Sequence, residues 1–354
     1  MIVVVGGGIA GAFTAFALAR AGASPILIER AGVAREASVR NPGGLNPLHG
    51  AGIPGPMQAF ALESFRLNID PWDELRTRSG INFHGRTVSR IHVVLDDKDR
   101  ASLEPMKAIQ DATPGFGARW LDRPELIAIE PRITPTALGA LRVEGNARVD
   151  AQAYTRAVTA AAVSLGAKVV VDEVTGLESR GARVSGVVLG SGTIPCDGVV
   201  IASGVWTDAP AQWLGVTLPI ETWKGELLIA NIDGAPVVHT FSCRDGSVYG
   251  DGTNRVWIGG TEAQVGFDQT PTPEGRALLF ERAQRFFPTI AEARVVSQVA
   301  GVRPVSADGL PIVGPAPGWD NAWLALGGGR KGILYGAGMG QAVAELATRG
   351  QTRL

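Results

Sequence analysis

Cysteine is scarce in this sequence, and its two examples, Cys196 and Cys243, stand too far apart for a CxxC motif. That leaves no disulfide framework and no thiolate metal site, so both thiols read as buried or inert. The four histidines are scattered without ligand spacing, and no metal centre is expected. No apolar run reaches the roughly 18 residues of a membrane span. Charge of one sign is missing too: 33 Lys+Arg face 34 Asp+Glu, with no basic block to hold nucleic acid or anionic lipid. The expected partner is therefore a small molecule. The apolar start, Met1 to Val5, has no cationic leader and no cleavage pattern, so it reads as a strand, and the expected location is cytoplasmic.

What is present is apolar mass, 45% of 354 residues, in a chain long enough for two domains. Val3 to Val5 form a short run typical of a buried parallel strand, opening into Gly6-Gly7-Gly8-Ile9-Ala10-Gly11. Gly6, Gly8 and Gly11 complete GxGxxG. The first suits a tight turn, the second close backbone approach to a pyrophosphate, the third tight packing of helix on strand. A helix from Ile9 to about Ala21 follows, its N-terminal amides and dipole available to phosphate. Pro25 to Glu29 reads as a second strand ending in an acid, about twenty residues beyond the glycines, where a carboxylate accepts ribose hydroxyls and disfavours a 2′-phosphate. FAD or NAD fits this unit. An NAD dehydrogenase would continue in βαβ units. This chain instead enters the Gly- and Pro-rich loop Ala37 to Pro47, which favours a flavin.

Helical periodicity predicts one long helix from about Gly55 to Arg78, with Gly80 past its end. Asp150 caps a predicted helix from Ala151 to Leu165. Strands are predicted at Ala167 to Val171, Val174 to Leu177, Val184 to Leu189 and Gly198 to Ala202, resuming the nucleotide domain. From Pro219 to Gly260 short strands separated by Gly/Asp turns predict an antiparallel sheet. Thr272, Pro273 and Glu274 start a helix reaching about Phe287, and a last helix runs from near Gly332 to Thr348.

Several separated segments, in order, give the chain a family likeness: Gly6 to Glu29; Ala37-Ser38 with Gly43-Gly44-Leu45; Asp197 to Trp206; Lys224-Gly225-Glu226; Ala300 to Gly314; and Gly328 to Leu334. Over nearly its whole length the sequence resembles the D-amino acid oxidase superfamily of FAD enzymes, on the glycine oxidase and sarcosine oxidase side. The resemblance implies an α/β fold: a Rossmann-like FAD-binding domain with a parallel sheet, from 1–80, 145–215 and 296–354, and a smaller antiparallel-sheet α+β substrate domain, from 81–144 and 216–295. It implies FAD contacts at Gly6, Gly8, Ile9, Ala10, Gly11, Glu29, Arg30, Ser38, Gly43, Gly44, Leu45 and Asn46. It extends them to Val174, Ala202, Ser203, Gly204, Trp206, Gly301, Arg303, Gly328, Gly329, Arg330, Lys331, Gly332 and Ile333. Departures from the pattern are visible. Gly328-Gly329 replaces Gly-His, and no cysteine follows Cys243, so FAD is expected without a covalent link. Arg40-Asn41-Pro42 departs from glycine oxidase and resembles the oxidase domain of the enzyme that modifies the tRNA wobble uridine.

Oxidising an amino acid requires its carboxylate held in one orientation while the amine is neutral. A fixed arginine does this through its planar fork. In isolation Arg303 reads as a solvated loop residue; the matching family arginine is a carboxylate anchor, which makes Arg303 the first catalytic candidate. Arg330 stands beside glycines where backbone must approach the flavin, as a substrate or entrance residue. The turn Lys331-Gly332-Ile333 offers amides and a helix dipole toward developing negative charge. Tyr249 lies two residues beyond Ser247, the position at which the family often has tyrosine, and period two keeps both on one face; a core aromatic is the alternative reading. His49 and Asn46 follow the flavin-facing loop, as pocket or surface residues. The expected reaction is hydride transfer from the Cα of a small amino acid or N-substituted glycine, with reoxidation by dioxygen. A dehydrogenase passing electrons to a quinone, a 2-hydroxy acid oxidase with His49 as base, and a tRNA carboxymethylaminomethyl-uridine oxidase remain as alternatives, the last disfavoured by the near-neutral charge.

Overall fold

A computed structural model describes the whole chain, Met1–Leu354. The chain divides into two compact units, the first formed by 1–85, 149–223 and 302–354, the second by 86–148 and 224–301.

The first unit is built on a six-stranded sheet in the order Ile312–Pro315, Ala322–Leu326, Gly198–Ile201, Ile2–Val5, Ile26–Ile28 and Lys168–Val170. Every pairing is parallel except that of the edge strand Ile312–Pro315. Both faces are covered, which is why its strands are apolar without alternation. Val3, Val5, Ile26 and Ile28 meet Val187 and Leu189 of a small antiparallel sheet, Val174–Arg180, Arg183–Leu189 and Gly192–Pro195. The predicted strands at 174–177 and 184–189 therefore belong to this unit but form a separate layer. Helix Ile9–Arg20 lies on the opposite face, where Gly11 sits so close to the preceding turn that a Cβ would come within 1.9 Å of the Gly6 carbonyl oxygen.

The last helix, Gly332–Arg349, packs on Ile9–Arg20 through glycines. A Cβ on Gly340 would stand 2.5 Å from the amide nitrogen of Thr14, and one on Gly336 would stand 3.0 Å from the Ile9 side chain. The edge of the Phe13 ring meets Tyr154 of helix Ala151–Ser164, whose buried hydroxyl donates to the Asn68 carbonyl at 2.8 Å. Asp150 caps that helix as expected, accepting from the Ala153 amide at 2.9 Å. The single long helix expected over 55–78 is instead two, Gln58–Ile69 and Trp72–Ser79. Pro71 has no amide to continue the ladder and begins the second helix instead. Gly80, at φ 67°, ends that helix as expected.

The second unit is built on a sheet running 294–301, 224–231, Arg255–Gly259, Gly246–Gly250, Thr240–Cys243, Arg86–Val94 and Gly139–Arg148, with Gly117–Asp122 also on the last. Its central hairpins are antiparallel as expected, and Thr240–Cys243 runs parallel to Arg86–Val94. One face is an apolar core of Ile91, Val93, Phe241, Val248, Val256 and Ile258, covered in part by Leu126, Leu279 and Phe286. Cys243 lies in it, and burial pushes its thiol up to about 12. The helix begun by Thr272 ends at Gln284, and a 3-10 turn, Pro288–Glu292, follows.

Because the atoms opposing Gly340 are backbone, Gly340→Ala is expected to destabilise the protein by about 1–3 kcal/mol despite the better helix propensity of alanine. The check is the urea midpoint at unchanged m-value.

Candidate active site

In the first unit the strand Ile2–Val5 delivers Gly6 into a turn at φ 112°, where a Cβ would lie 2.3 Å from the Ala202 carbonyl oxygen. Only glycine lets the two parallel strands end this close. Gly8 then leads into helix Ile9–Arg20, which has no acidic residue in its first turn and no side-chain cap on Gly8. Ile9 finds its acceptor in the Ser38 hydroxyl at 3.0 Å. The other amides of the turn have no intrahelical acceptor, so the terminus is suited to an anion. Ser203 follows Ala202, and its buried hydroxyl has no hydrogen-bond partner. Glu29, half-buried at the end of Ile26–Ile28, accepts from the Gly7 amide at 2.7 Å and the Ala31 amide at 3.2 Å. Its oxygens keep spare lone pairs for a diol. A glycine turn, a bare helix terminus, an orphaned hydroxyl and an anchored carboxylate together fit a dinucleotide. Arg30 and Trp206 stack beside them, the guanidinium carbon 4.5 Å from the ring centre, with Gly204 supplying the turn at φ 64°.

The loop from Ala37 to Pro47 is tied down from both ends. Gly43 sits where a Cβ would strike the Val149 carbonyl at 1.9 Å, and its own carbonyl accepts from the Val149 amide at 3.0 Å. Gly44 and Leu45 make a two-residue strand, and the Asn46 carbonyl then accepts from Lys331 Nζ. Asn41, singled out above only as a departure, organises the turn before it. Its Nδ2 donates to the carbonyls of Ala37 and Ser38, and its Oδ1 accepts the Gly43 amide at 2.8 Å. The asparagine type at a turn was the available signal. His49 is exposed at the far end of this loop.

Arg330 is exposed in the 3-10 turn Gly329–Lys331, which follows Gly328. The Lys331 amide donates to the Gly328 carbonyl at 3.1 Å. Of the three amides expected to face outward, that one is consumed within the turn. Gly336 then lies against Ile9, so the same helix pair that packs the unit brings the two termini together. Tyr335 rests on Phe60 with ring centres 5.7 Å apart, and burial pushes its phenol up to about 12. Arg303 is half-buried on Arg294–Ser306. Val174 opens the small antiparallel sheet opposite Leu189 and packs on the core that contains Val5 and Ile28.

Gly301 and Tyr249 belong to the second unit. Tyr249 and Ser247 share a face of the sheet, as period two requires; their cross-strand partners Thr240 and Ser242 in turn pair with Arg90 and His92. This is the face opposite the apolar core. Arg90 Nε lies 3.3 Å from Ser242 Oγ and its Nη2 3.4 Å from Ser247 Oγ, while His92 Nδ1 is 3.1 Å from Ser242 Oγ. Sequence reasoning missed this row, although the polar residues Arg90 and His92 alternate with Ile91 and Val93. His239, near its edge, is held below the usual imidazole value by burial and by the charge of Arg142.

Residues 1–346 match the family model described as DAO, FAD dependent oxidoreductase. The chain is 30% identical over 355 residues to a glycine oxidase of Geobacillus kaustophilus, covering 99% of this chain and 93% of that protein. It is 28% identical over 410 residues to a D-amino acid dehydrogenase of Paramagnetospirillum magneticum, covering 98% and 94%. The crystal structure of glycine oxidase from Geobacillus kaustophilus superposes with a TM-score of 0.92 at 27% identity, covering 100% of this chain and 95% of the other.

Glu29→Ala removes a charged acceptor from the Gly7 amide and the group expected to accept from the ribose of FAD. Loss of hydrogen bonds to a charged group costs about 1.5–3 kcal/mol, so FAD affinity is expected to fall at least about tenfold. Flavin absorbance per polypeptide after dialysis measures it.

Proposed function

Because the chain belongs to the DAO family of FAD dependent oxidoreductases, we propose that it oxidises a small amino acid or N-substituted glycine, with Arg303 as the carboxylate anchor. The observation that carries this reading is the joining of two distant motifs within the first unit. Gly336 packs on Ile9, and Lys331 bonds the Asn46 carbonyl, so the glycine turn and the C-terminal arginine motif form one surface. The first unit is the part that would hold FAD.

Gly6, Gly8, Ser203 and the first turn of helix Ile9–Arg20 would hold the pyrophosphate, and Glu29 the ribose. Gly43 to Asn46 and Gly328 to Ile333 would line the ring system. Held there without a covalent link, FAD would supply the acceptor for a hydride from the substrate Cα. Arg303 contributes orientation: its fork binds both carboxylate oxygens of the substrate and fixes which hydrogen is presented. The dipole of helix Gly332–Arg349 stabilises negative charge at its N-terminus. No side-chain base is required, because the amine arrives neutral and the oxidised product is an imine that water hydrolyses. Dioxygen takes up the electrons as hydrogen peroxide. The likeness to a D-amino acid dehydrogenase supports a second reading, in which a quinone or carrier protein takes them instead.

Mixed anaerobically with glycine, sarcosine or D-amino acids, the yellow protein is expected to lose its oxidised flavin band. Admitting air should restore the band and release peroxide; restoration only by a quinone would select the dehydrogenase. Arg303→Leu is expected to retain FAD while kcat/KM falls by about 100-fold or more, the scale of a lost bidentate ionic contact. Undiminished turnover in that variant would refute the anchor.

A further inference from the structure

The six-stranded sheet of the first unit ends on Lys168–Val170, a strand paired on one side alone. Its pairing with Ile26–Ile28 fixes which backbone groups are left over. The Lys168 amide donates to the Pro25 carbonyl at 2.9 Å and the Val170 carbonyl accepts the Glu29 amide at 3.0 Å, so these two residues turn their backbone groups inward. Alternation turns those of Val169 and Val171 out of the sheet. A row of outward amides and carbonyls is a template for another strand, and proteins usually blunt it with charge, proline or a covering loop.

Here apolar side chains mark the edge instead. Val169 and Val171 are 37% and 66% exposed, and Val163, at the end of the helix that leads into the strand, is 46% exposed. Val169 pairs with Leu27, whose side chain lies beside Gly11 of the covering helix, so Val169 and Val171 stand on the helix side of the sheet. Lys168, Val170 and Asp172 stand on the other side, where Val170 packs on the core containing Val187 and Leu189 and Asp172 accepts from the Ser191 hydroxyl. Lys168 is the one charge that blunts this strand, and it is exposed and forms no ion pair within the chain.

A closed dimer joins identical strands about a two-fold axis, which makes them antiparallel. Because outward residues must face outward residues, few registers fit so short a strand. With Val170 facing its own copy, Val169 exchanges both backbone bonds with the partner's Val171, and Lys168 lies opposite the partner's Asp172. Centring the pair on Val169 would set Lys168 against Val170, and centring it on Val171 would set Val170 against Asp172. Both lose the ionic match.

We infer that the Lys168–Val170 edge is an interface between two copies of this chain, joined antiparallel across a two-fold axis at Val170, with Lys168 of each copy against the partner's Asp172. The sheet of one copy then continues into that of the other, and the exposed valines of the two line up on one face. This holds whatever the protein oxidises.

The test is the mass of the FAD-loaded particle by light scattering over a dilution series, for wild type, Lys168→Asp, Asp172→Lys and the double variant. The wild type should be a dimer or an assembly of dimers. Each single variant sets like charges opposite each other in both pairs, and should raise the dissociation constant about tenfold or more, halving the mass at concentrations where the wild type holds. The double variant should restore the mass, and so should an equimolar mixture of the two single variants, because both pairs in the mixed dimer are again of opposite sign. Hydrogen exchange on the wild type reads the same edge without substitution: the Val169 and Val171 amides should be protected in the dimer and lose protection on dilution. A wild type that runs as one chain at every concentration, a dimer indifferent to the charge changes, or a dimer in which those two amides exchange unprotected would overturn the inference.

Discussion

The contact on which the first unit depends is the close approach of helix Ile9–Arg20 to helix Gly332–Arg349. Gly340 lies against the backbone of Phe13 and Thr14 and Gly336 against Ile9, with no side chain to hold the helices apart. Dispersion is gained only at contact, and a methyl-sized gap forfeits a good part of it, so glycine at these positions converts surface into packing. The functional consequence is positional. Two helices are fixed with their N-termini near each other, one after the glycine turn and one after the Gly328 to Lys331 turn. Partial positive charge from both is thereby concentrated on one surface.

A second constraint is the length of chain spent on loops between these helices and the sheet. Loops rich in Gly and Pro cost order, and here side-chain and backbone bonds supply it: Asn41 clasps Ala37, Ser38 and Gly43, Val149 holds Gly43, and Lys331 holds Asn46. The bonds replace the ladder that a strand would have provided, and satisfy backbone groups that burial would otherwise leave orphaned. The loop is thus rigid enough to be part of a binding surface although hardly any of it is regular structure.

The second unit solves a different problem. Its sheet has one face sealed by Ile91, Phe241, Val248 and Ile258, and alternation then commits the odd partners, Arg90, His92, Ser242, Ser247 and Tyr249, to the other. The polar face of hydroxyls, an imidazole and an arginine adds little to stability, which the apolar face carries.

Much was legible in the residues themselves. GxGxxG after an apolar strand, Glu29 at the end of the next, Asp150 as a cap and Gly80 as a stop are local signals, because each follows from the stereochemistry of a few neighbouring residues. The break at Pro71 was equally local, though helical periodicity on both sides concealed it. The small sheet at 174–195, the consumption of the Lys331 amide and the clasp by Asn41 were not readable, since each depends on which distant backbone group arrives alongside. Arg90 is the sharpest case. Its sequence neighbours mark it only as an arginine alternating with apolar residues, and its bonds to hydroxyls arise because Ser242 and Ser247, more than 150 positions away, are what the sheet register sets beside it. Sequence alone determined the dinucleotide unit, since backbone geometry there is dictated by glycine. Tertiary structure decided the partners of every charged side chain, since electrostatic energy depends on distance through space and not on separation along the chain.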